Sequence, residues 1–330
     1  MINSFLYTET AFHHEGDIAF LKKLIIESSN IGVNGIKFQV LTKPSDFIST
    51  RNTSFNELKK YCFSLNEWEQ IFEFTLSKGL EIIMMPLNLE SFKLLDKFKV
   101  AYLDIHSVSF YDLELLKYIK KSKLNIILGI GGRTLDEIKE KQLYFKDKLK
   151  VLMVGFQSFP SKLEKVKIGK IKYLKDFFPE LEIGYADHSS YNDKFSILSN
   201  DYAMLLGATF FEKHITIIEG DKRVDAASAI DAKKIRVIKE RIDFIEKYVL
   251  TNEEESFKTD NTEVVYRNRQ LRCVVNKDLL KGSVLKASDV SLKMVENQEK
   301  YYTKIEDVIG KKIKVNIYVD QAINKEVFYE

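Results

Sequence analysis

The sequence predicts an α/β architecture, an eight-stranded (β/α)8 TIM barrel, followed by a small, mostly β domain. Three observations carry that expectation. Short apolar runs alternate with amphipathic stretches at helical spacing through the first two-thirds of the chain; eight such strand–helix units can be counted; and the texture changes beyond a polar, acidic break at Thr251–Ser256. At 330 residues the chain also exceeds what one ordinary domain needs.

Taken in order, the expected strands are Phe5–Tyr7, Gly35–Phe38, Glu81–Met85, Ala101–Ile105, Asn125–Ile130, Val151–Gly155, Glu182–Tyr185 and Thr209–Lys213. Between them, Ile18, Leu21, Leu24, Ile25 and Ile31 mark one helical face, and Trp68, Ile71, Phe72 and Leu76 mark another. Each stretch is long enough for a parallel crossover. Eight units in about 230 residues suit a closed barrel better than an open sheet, whose strand count is usually lower. Ile235, Ile238, Ile242, Ile245 and Val249 form the stripe of the last barrel helix, which should end near Leu250. The barrel domain is therefore read as 1–250 and the linker as 251–262. In the second domain, 263–330, β-like runs Leu271–Val275 and Lys312–Ile317 are punctuated by turns ending at Gly282 and Gly310.

Composition narrows the function. An apolar share of 45%, with 23 Phe and 16 Tyr, supports a packed core and excludes disorder for most of the chain. Charged residues make up 30%, and no run of eighteen apolar residues exists to span a bilayer. The start of the sequence lacks the basic-then-apolar pattern of a signal peptide. Cys62 and Cys273 are the only cysteines and lie far apart, which points to a reducing, cytoplasmic setting. Residues 258–330 carry 14 Lys/Arg against 11 Asp/Glu, and the remainder 37 against 37, so no segment is basic enough to track nucleic acid.

Active-site groups of such a barrel sit at the C-terminal strand ends. Here those ends offer Glu9, Lys37 to Gln39, Met85-Pro86, His106-Ser107, Gly129 to Gly132, Gln157, Asp187-His188-Ser189 and Glu212-Lys213-His214. His188 and His214 follow the last two strands, neighbours in a closed barrel, and should face one mouth. Two imidazoles beside the carboxylates Asp187 and Glu212 suit Mn²⁺, Mg²⁺ or Fe²⁺, which would act as a Lewis acid on a carbonyl oxygen. A strand-end histidine is also a common hydrogen-bonded structural residue, and Asp187 could simply cap the turn at Ser189 and Ser190. Lys37 follows a buried run and calls for an anionic partner, for which Glu9 is available. In His13-His14-Glu15-Gly16, adjacent histidines on a strand would point apart, which argues against a metal there.

Four segments in order resemble the N-acetylneuraminate (sialic acid) synthase family. They are Glu9-Thr-Ala-Phe-His-His-Glu-Gly16, Ile36-Lys37-Phe38-Gln39, Ile183-Gly184-Tyr-Ala-Asp187-His188-Ser189 and Gly207-Ala-Thr-Phe-Phe-Glu212-Lys213-His214. Cys273 to Gly282, with Leu285 and Ala287-Ser-Asp289-Val290, resembles that family's antifreeze-like (SAF) domain. The resemblance implies an enzyme condensing phosphoenolpyruvate with an acylated amino sugar to give a nonulosonic acid and phosphate. It implies a divalent metal, Mn²⁺ or Mg²⁺, on His188 and His214. Glu9 and Glu212 would act in substrate orientation and proton handling, Lys37 would contact phosphate, and Gln39, Ser107, Gln157 and Asp225 would be further substrate contacts. It also implies a homodimer in which one chain's SAF domain closes over the other's barrel.

The departures from the family pattern concentrate where phosphate would bind. Met84-Met85-Pro86 replaces a Ser-Thr-Pro, Asp104 replaces a lysine, Gly129-Ile130-Gly131-Gly132 replaces a Ser-Thr-Gly-Met, Gln157 an asparagine, Ala186 a serine and Met294 an arginine. Phosphate buried without cationic partners is costly, and Asp104 should repel it. Three readings stay open. Other groups (Arg133, Lys213 or the amides of Gly131-Gly132) could hold phosphate; the enzyme could be aldolase-like and use an unphosphorylated donor; or the chain could be a non-catalytic sugar-binding or scaffold homologue.

Overall fold

The computed structural model describes residues 4–155, 158–296 and 300–329. It contains two compact units, Met1–Thr251 and Asn252–Glu330.

In the first unit, eight strands pair in parallel in sequence order. They are β1 (Phe5–Glu9), β2 (Gly35–Val40), β3 (Glu81–Pro86), β4 (Tyr102–Ile105), β5 (Asn125–Gly129), β6 (Leu149–Val154), β7 (Glu182–Asp187) and β8 (Ala208–His214). β8 closes on β1, and helices alternate with strands, so the unit is a TIM barrel. Every expected strand is present. β1 and β8 run on to Glu9 and His214 because their ladder continues that far, which sets these side chains on rigid backbone.

The helices form for local reasons. Helix Ile18–Ile31 starts where the Asp17 side chain accepts the amides of Ala19 and Phe20, and stops at Gly32 with φ +80°. Helix Leu65–Ser77 opens with a reciprocal Ser64–Glu67 capping box. It buries Trp68, Ile71, Phe72 and Thr75; Leu76, expected on that face, is exposed. Helix Ala232–Tyr248 buries Ile235, Ile238, Ile242 and Ile245, while Val249 lies beyond its end and is exposed. The crossover after β3 is a 3-10 stretch, Leu89–Asp96, rather than an α-helix.

Two apolar layers flank the strands. The outer one packs residues such as Ile36, Phe38, Ile82, Met84 and Leu103 against the helices. The inner one holds Tyr7, Ile83, Ile127, Val151, Met153, Ala186 and Phe210. The rings of Phe5, Tyr102 and Phe210 meet pairwise at 5.1–5.7 Å and form the barrel floor.

In the second unit, β9 (Arg272–Val275) pairs antiparallel with β10 (Val290–Lys293) over a core that includes Cys273, Leu285, Val308, Ile313, Ile317 and Ile323. The run Lys312–Ile317, expected as a strand, makes only isolated bridges, to Val284, Phe328 and Leu279. The segment read as linker contains the short helix Glu253–Ser256, capped by Asn252, and the start of Asn261–Arg267, capped by Asp260. Among the described residues no helix is long and apolar enough to cross a membrane.

Gly155, just past β6, has φ +123°, and a Cβ there would lie 2.3 Å from the Ala186 carbonyl oxygen. Gly132 shares a positive φ but has open space around it. Gly155→Ala should therefore cost about 2–3 kcal/mol of stability, against about 1 kcal/mol for Gly132→Ala, as read from urea denaturation midpoints.

Candidate active site

Side chains on a strand alternate between barrel interior and helix layer. That period of two carries Tyr7 and Glu9 inward from β1, Lys37 and Gln39 from β2, Asp104 from β4, and Glu212 and His214 from β8. Register brings them together. Glu9 lies opposite Lys37 on one neighbouring strand and His214 on the other, and Glu212 lies opposite Tyr7 and Ala186. With His188, just past β7, all of these side chains except Tyr7 line a cavity of about 460 Å³ at the C-terminal end of the barrel. Its remaining walls are largely apolar, formed by residues such as Phe12, Phe47, Met85, Ile105, Met153 and Phe159.

Glu9, His188, Glu212 and His214 are all buried, and one ligand atom from each lies within 4.8 Å of the others. The two imidazole rings are 4.7 Å apart. His188 Nδ1 contacts the Ala186 carbonyl at 3.1 Å, which turns Nε2 toward Glu212 Oε1 at 3.8 Å. Burial and the adjacent His214 hold His188 down to about 3, so its imidazole is neutral and available as a ligand. His214 Nε2 lies 2.9 Å from Glu9 Oε2 yet has no hydrogen-bond partner among the described residues. A nitrogen and a carboxylate oxygen that approach without hydrogen-bond alignment suit ligands of one shared ion. Two imidazole nitrogens and two carboxyl groups fit a divalent cation such as Mn²⁺ or Mg²⁺.

Beneath this set, Lys37 Nζ lies 2.6 Å from Glu212 Oε2, 2.9 Å from Asp104 Oδ2 and 3.2 Å from Glu9 Oε2. Tyr7 donates its hydroxyl to the same Glu212 oxygen at 2.6 Å. Burial opposes the Lys37 ammonium, but the carboxylates of Asp104, Glu212 and Glu9 outweigh it and raise its pKa well above the usual lysine value. Burial would raise Glu9 too, but Lys37 and His214 hold it well below the ordinary range. Glu212 goes the other way: burial pushes it well up, Lys37 opposes, and the Glu9 charge adds to the rise. Two neighbouring carboxyls are thus driven apart, one ionised and one able to carry a proton. One ammonium against three carboxyls leaves a net negative charge, minus two with all three ionised and minus one with Glu212 protonated, which favours a divalent cation.

Of the other expected contacts, Gln39 donates Nε2 to Glu9 Oε1 at 3.0 Å, and Ser107 and Asp225 line the cavity, the latter at φ +65°. Gln157 lies outside the described residues. Three expectations are corrected. Asp187 is not beside the imidazoles: it alternates outward from β7 and is buried against Lys213 at 3.0 Å, so Glu9 is the second carboxylate. Lys213 is therefore committed to Asp187, and Arg133 donates Nη2 to the Ser107 carbonyl while stacking on Phe110, so neither faces the cavity. Asp104 is not an unpaired charge, because it is ion-paired with Lys37, but it still sets a carboxylate beside that ammonium. Met294, in the second unit, is exposed. Tyr7 escaped the sequence reading, although counting back two residues from Glu9 on the same strand finds it.

His13 contacts the Val224 carbonyl with Nδ1 and Thr216 Oγ1 with Nε2, and so buttresses the segment that carries Asp225. His14 turns away into the core, with its ring 4.7 Å from Phe63.

The NeuB family model matches residues 24–254. An uncharacterised protein of Methanocaldococcus jannaschii is 27% identical over 293 residues, 88% of this chain and 84% of its own. The N,N'-diacetyllegionaminic acid synthase of Campylobacter jejuni is 24% identical over 344 residues, 98% of this chain and 100% of its own. Among solved structures, a Chromobacterium violaceum protein assigned to spore coat polysaccharide biosynthesis has a TM-score of 0.84 at 17% identity, over 99% of this chain and 100% of that one. The N-acetylneuraminic acid synthetase of Leptospira borgpetersenii, in complex with citrate, has a TM-score of 0.71 at 24% identity, over 81% of this chain and 92% of that one. At these identities the two structures bear on the fold.

Two measurements follow from the site. His188→Ala and His214→Ala should each weaken Mn²⁺ binding by roughly 100-fold in an electron-paramagnetic-resonance titration, since losing even an outer partner of a ligand costs 10- to 100-fold. The second concerns His14, whose pKa burial and the neighbouring His13 lower to about 3. A base with a depressed folded pKa contributes stability that is complete above pH 6.5 and is lost as pH falls toward 3. At pH 5 the loss is about 2 kcal/mol. His14→Phe should remove that share of the difference between urea midpoints at pH 7.5 and pH 5.

Proposed function

Because the chain belongs to the NeuB family, we propose that it is a metal-dependent enzyme that joins a three-carbon acid donor to the aldehyde of an acylated amino sugar, giving a nonulosonic acid of sialic type. The observation that carries this reading is the buried Glu9–His188–Glu212–His214 cluster at the mouth of the barrel. Curated relatives named legionaminic, N-acetylneuraminate-9-phosphate and pseudaminic acid synthases support it. A bound divalent ion would supply Lewis-acid polarisation of a carbonyl oxygen. Around it, the protein's own residues have separable tasks. Glu9, held by Gln39 and Lys37, orients the site, and Glu212, held by Tyr7 and Lys37, takes or gives a proton. The apolar walls exclude water from the reacting carbon atoms and leave room for an acyl group.

The resemblance names phosphoenolpyruvate as donor, with Lys37 on its phosphate. The Lys37–Asp104 ion pair favours a second reading, in which the donor carries no phosphate. We further propose that the second unit is an SAF domain and that the protein acts as a homodimer, which sedimentation would report directly.

With Mn²⁺, an acylated hexosamine and either phosphoenolpyruvate or pyruvate, the protein should form a new sugar acid, detected by proton NMR. Glu212→Gln should slow its formation by roughly 10²- to 10⁴-fold, the range for a lost proton-transfer group. Failure of the Mn²⁺-loaded protein to make any such acid from either donor, across a panel of acylated hexosamines, would sink the proposal.

A further inference from the structure

We propose that Asp104 sets the donor specificity of this site, completing a cage that withholds Lys37 from the ligand, so that the donor is an unphosphorylated 2-oxo acid. The inference rests on the condensation reading above and specifies its donor. An ammonium has three N–H bonds. Around Lys37 Nζ stand three carboxylates, Glu212 at 2.6 Å, Asp104 at 2.9 Å and Glu9 at 3.2 Å. The side chain is buried, and it points into the barrel from β2. Its ammonium donates hydrogen bonds to Asp104 and Glu212 and is ion-paired with Glu9, so its charge is engaged before any ligand arrives.

Among the described residues that line the cavity, Lys37 is the sole lysine or arginine, whereas Glu9, Asp104, Glu212 and Asp225 all contribute carboxyl groups. Lys213 and Arg133 are spent elsewhere, on Asp187 and on the Ser107 carbonyl. A phosphoryl group brings close to two negative charges and calls for converging cationic donors. Brought against Lys37, it would meet the Asp104 carboxylate bound to the same nitrogen. A 2-oxo acid brings one negative charge, on its carboxylate, and no phosphoryl group.

The chemistry balances without phosphate. A proton leaves the methyl carbon of the 2-oxo acid, and the electron pair of that C–H bond becomes the new bond to the aldehyde carbon. The aldehyde oxygen ends as a hydroxyl carrying one proton. Water is not consumed, whereas the same product from phosphoenolpyruvate requires a water molecule and releases phosphate. Asp104 acts through Lys37 rather than on the reacting atoms, so it is a positioning residue.

Calorimetric titration of the Mn²⁺-loaded protein with pyruvate and with phosphoenolpyruvate tests this. Wild type should bind pyruvate at least about tenfold more tightly, and Asp104→Asn should move that ratio about tenfold toward phosphoenolpyruvate, because juxtaposed like charges cost several kcal/mol and the amide removes one. With an acylated hexosamine present, wild type should convert pyruvate to sugar acid without release of inorganic phosphate. Phosphoenolpyruvate binding to wild type as tightly as pyruvate, or phosphate released in step with product, overturns the proposal and leaves the condensation reading intact. An unmoved ratio in a folded Asp104→Asn protein overturns the role of Asp104. The wild-type ratio decides the donor even if the variant does not fold. Preferred pyruvate binding without sugar acid from either donor upholds the ligand preference and sinks the condensation reading; binding of neither overturns both.

Discussion

The interior of the barrel is organised around one buried ammonium. Lys37 sits among three carboxylates, one of them also held by Tyr7, in a position where an isolated charge would cost far more than folding can supply. Such sets are stable only as complete sets: withdrawing one partner leaves a buried charge unmatched, at about 3–5 kcal/mol. Glu9 and Glu212 serve the lysine with one oxygen and face His214 and His188 as well. The structural core of the site and its prospective metal shell therefore share the same carboxylates.

Much of the fold was legible because alternation and helical spacing survive in most units of the barrel, the 3-10 crossover after β3 being an exception. Eight strands could be placed, and Leu21, Leu24, Ile25, Trp68, Ile71, Ile235 and Ile242 are buried where their spacing puts them. The errors fell at edges. Leu76 and Val249 continue a stripe on paper, but the face they would cover is already filled or the helix has ended. The run Lys312–Ile317 reads as β yet lacks a continuous partner strand, which no local pattern can reveal.

The site was legible in its residue types and less so in their pairing. His188 and His214 converge because β7 and β8 adjoin, a fact of topology that the order of strands already contained. Asp187 and Lys213 misled because they neighbour those histidines in sequence, while a period of two sends them to the opposite face, where they satisfy each other. Asp104 read as a repulsive intruder when set against a family pattern alone. Its compensation comes from Lys37, two strands away around the barrel and 67 positions earlier in the chain. Charge balance of this kind is a property of the closed cylinder.

The packed rings of Phe5, Tyr102 and Phe210 have a consequence for traffic. They fill the cylinder below the polar tier, and the cavity is lined by residues at the C-terminal strand ends, so a ligand would enter from that side. Whatever comes to rest against the lower polar tier has to arrive before anything that lodges nearer the rim, and the later arrival bars its retreat. Reactants would then queue in a set sequence, and a finished molecule must back out through the door by which its parts came in.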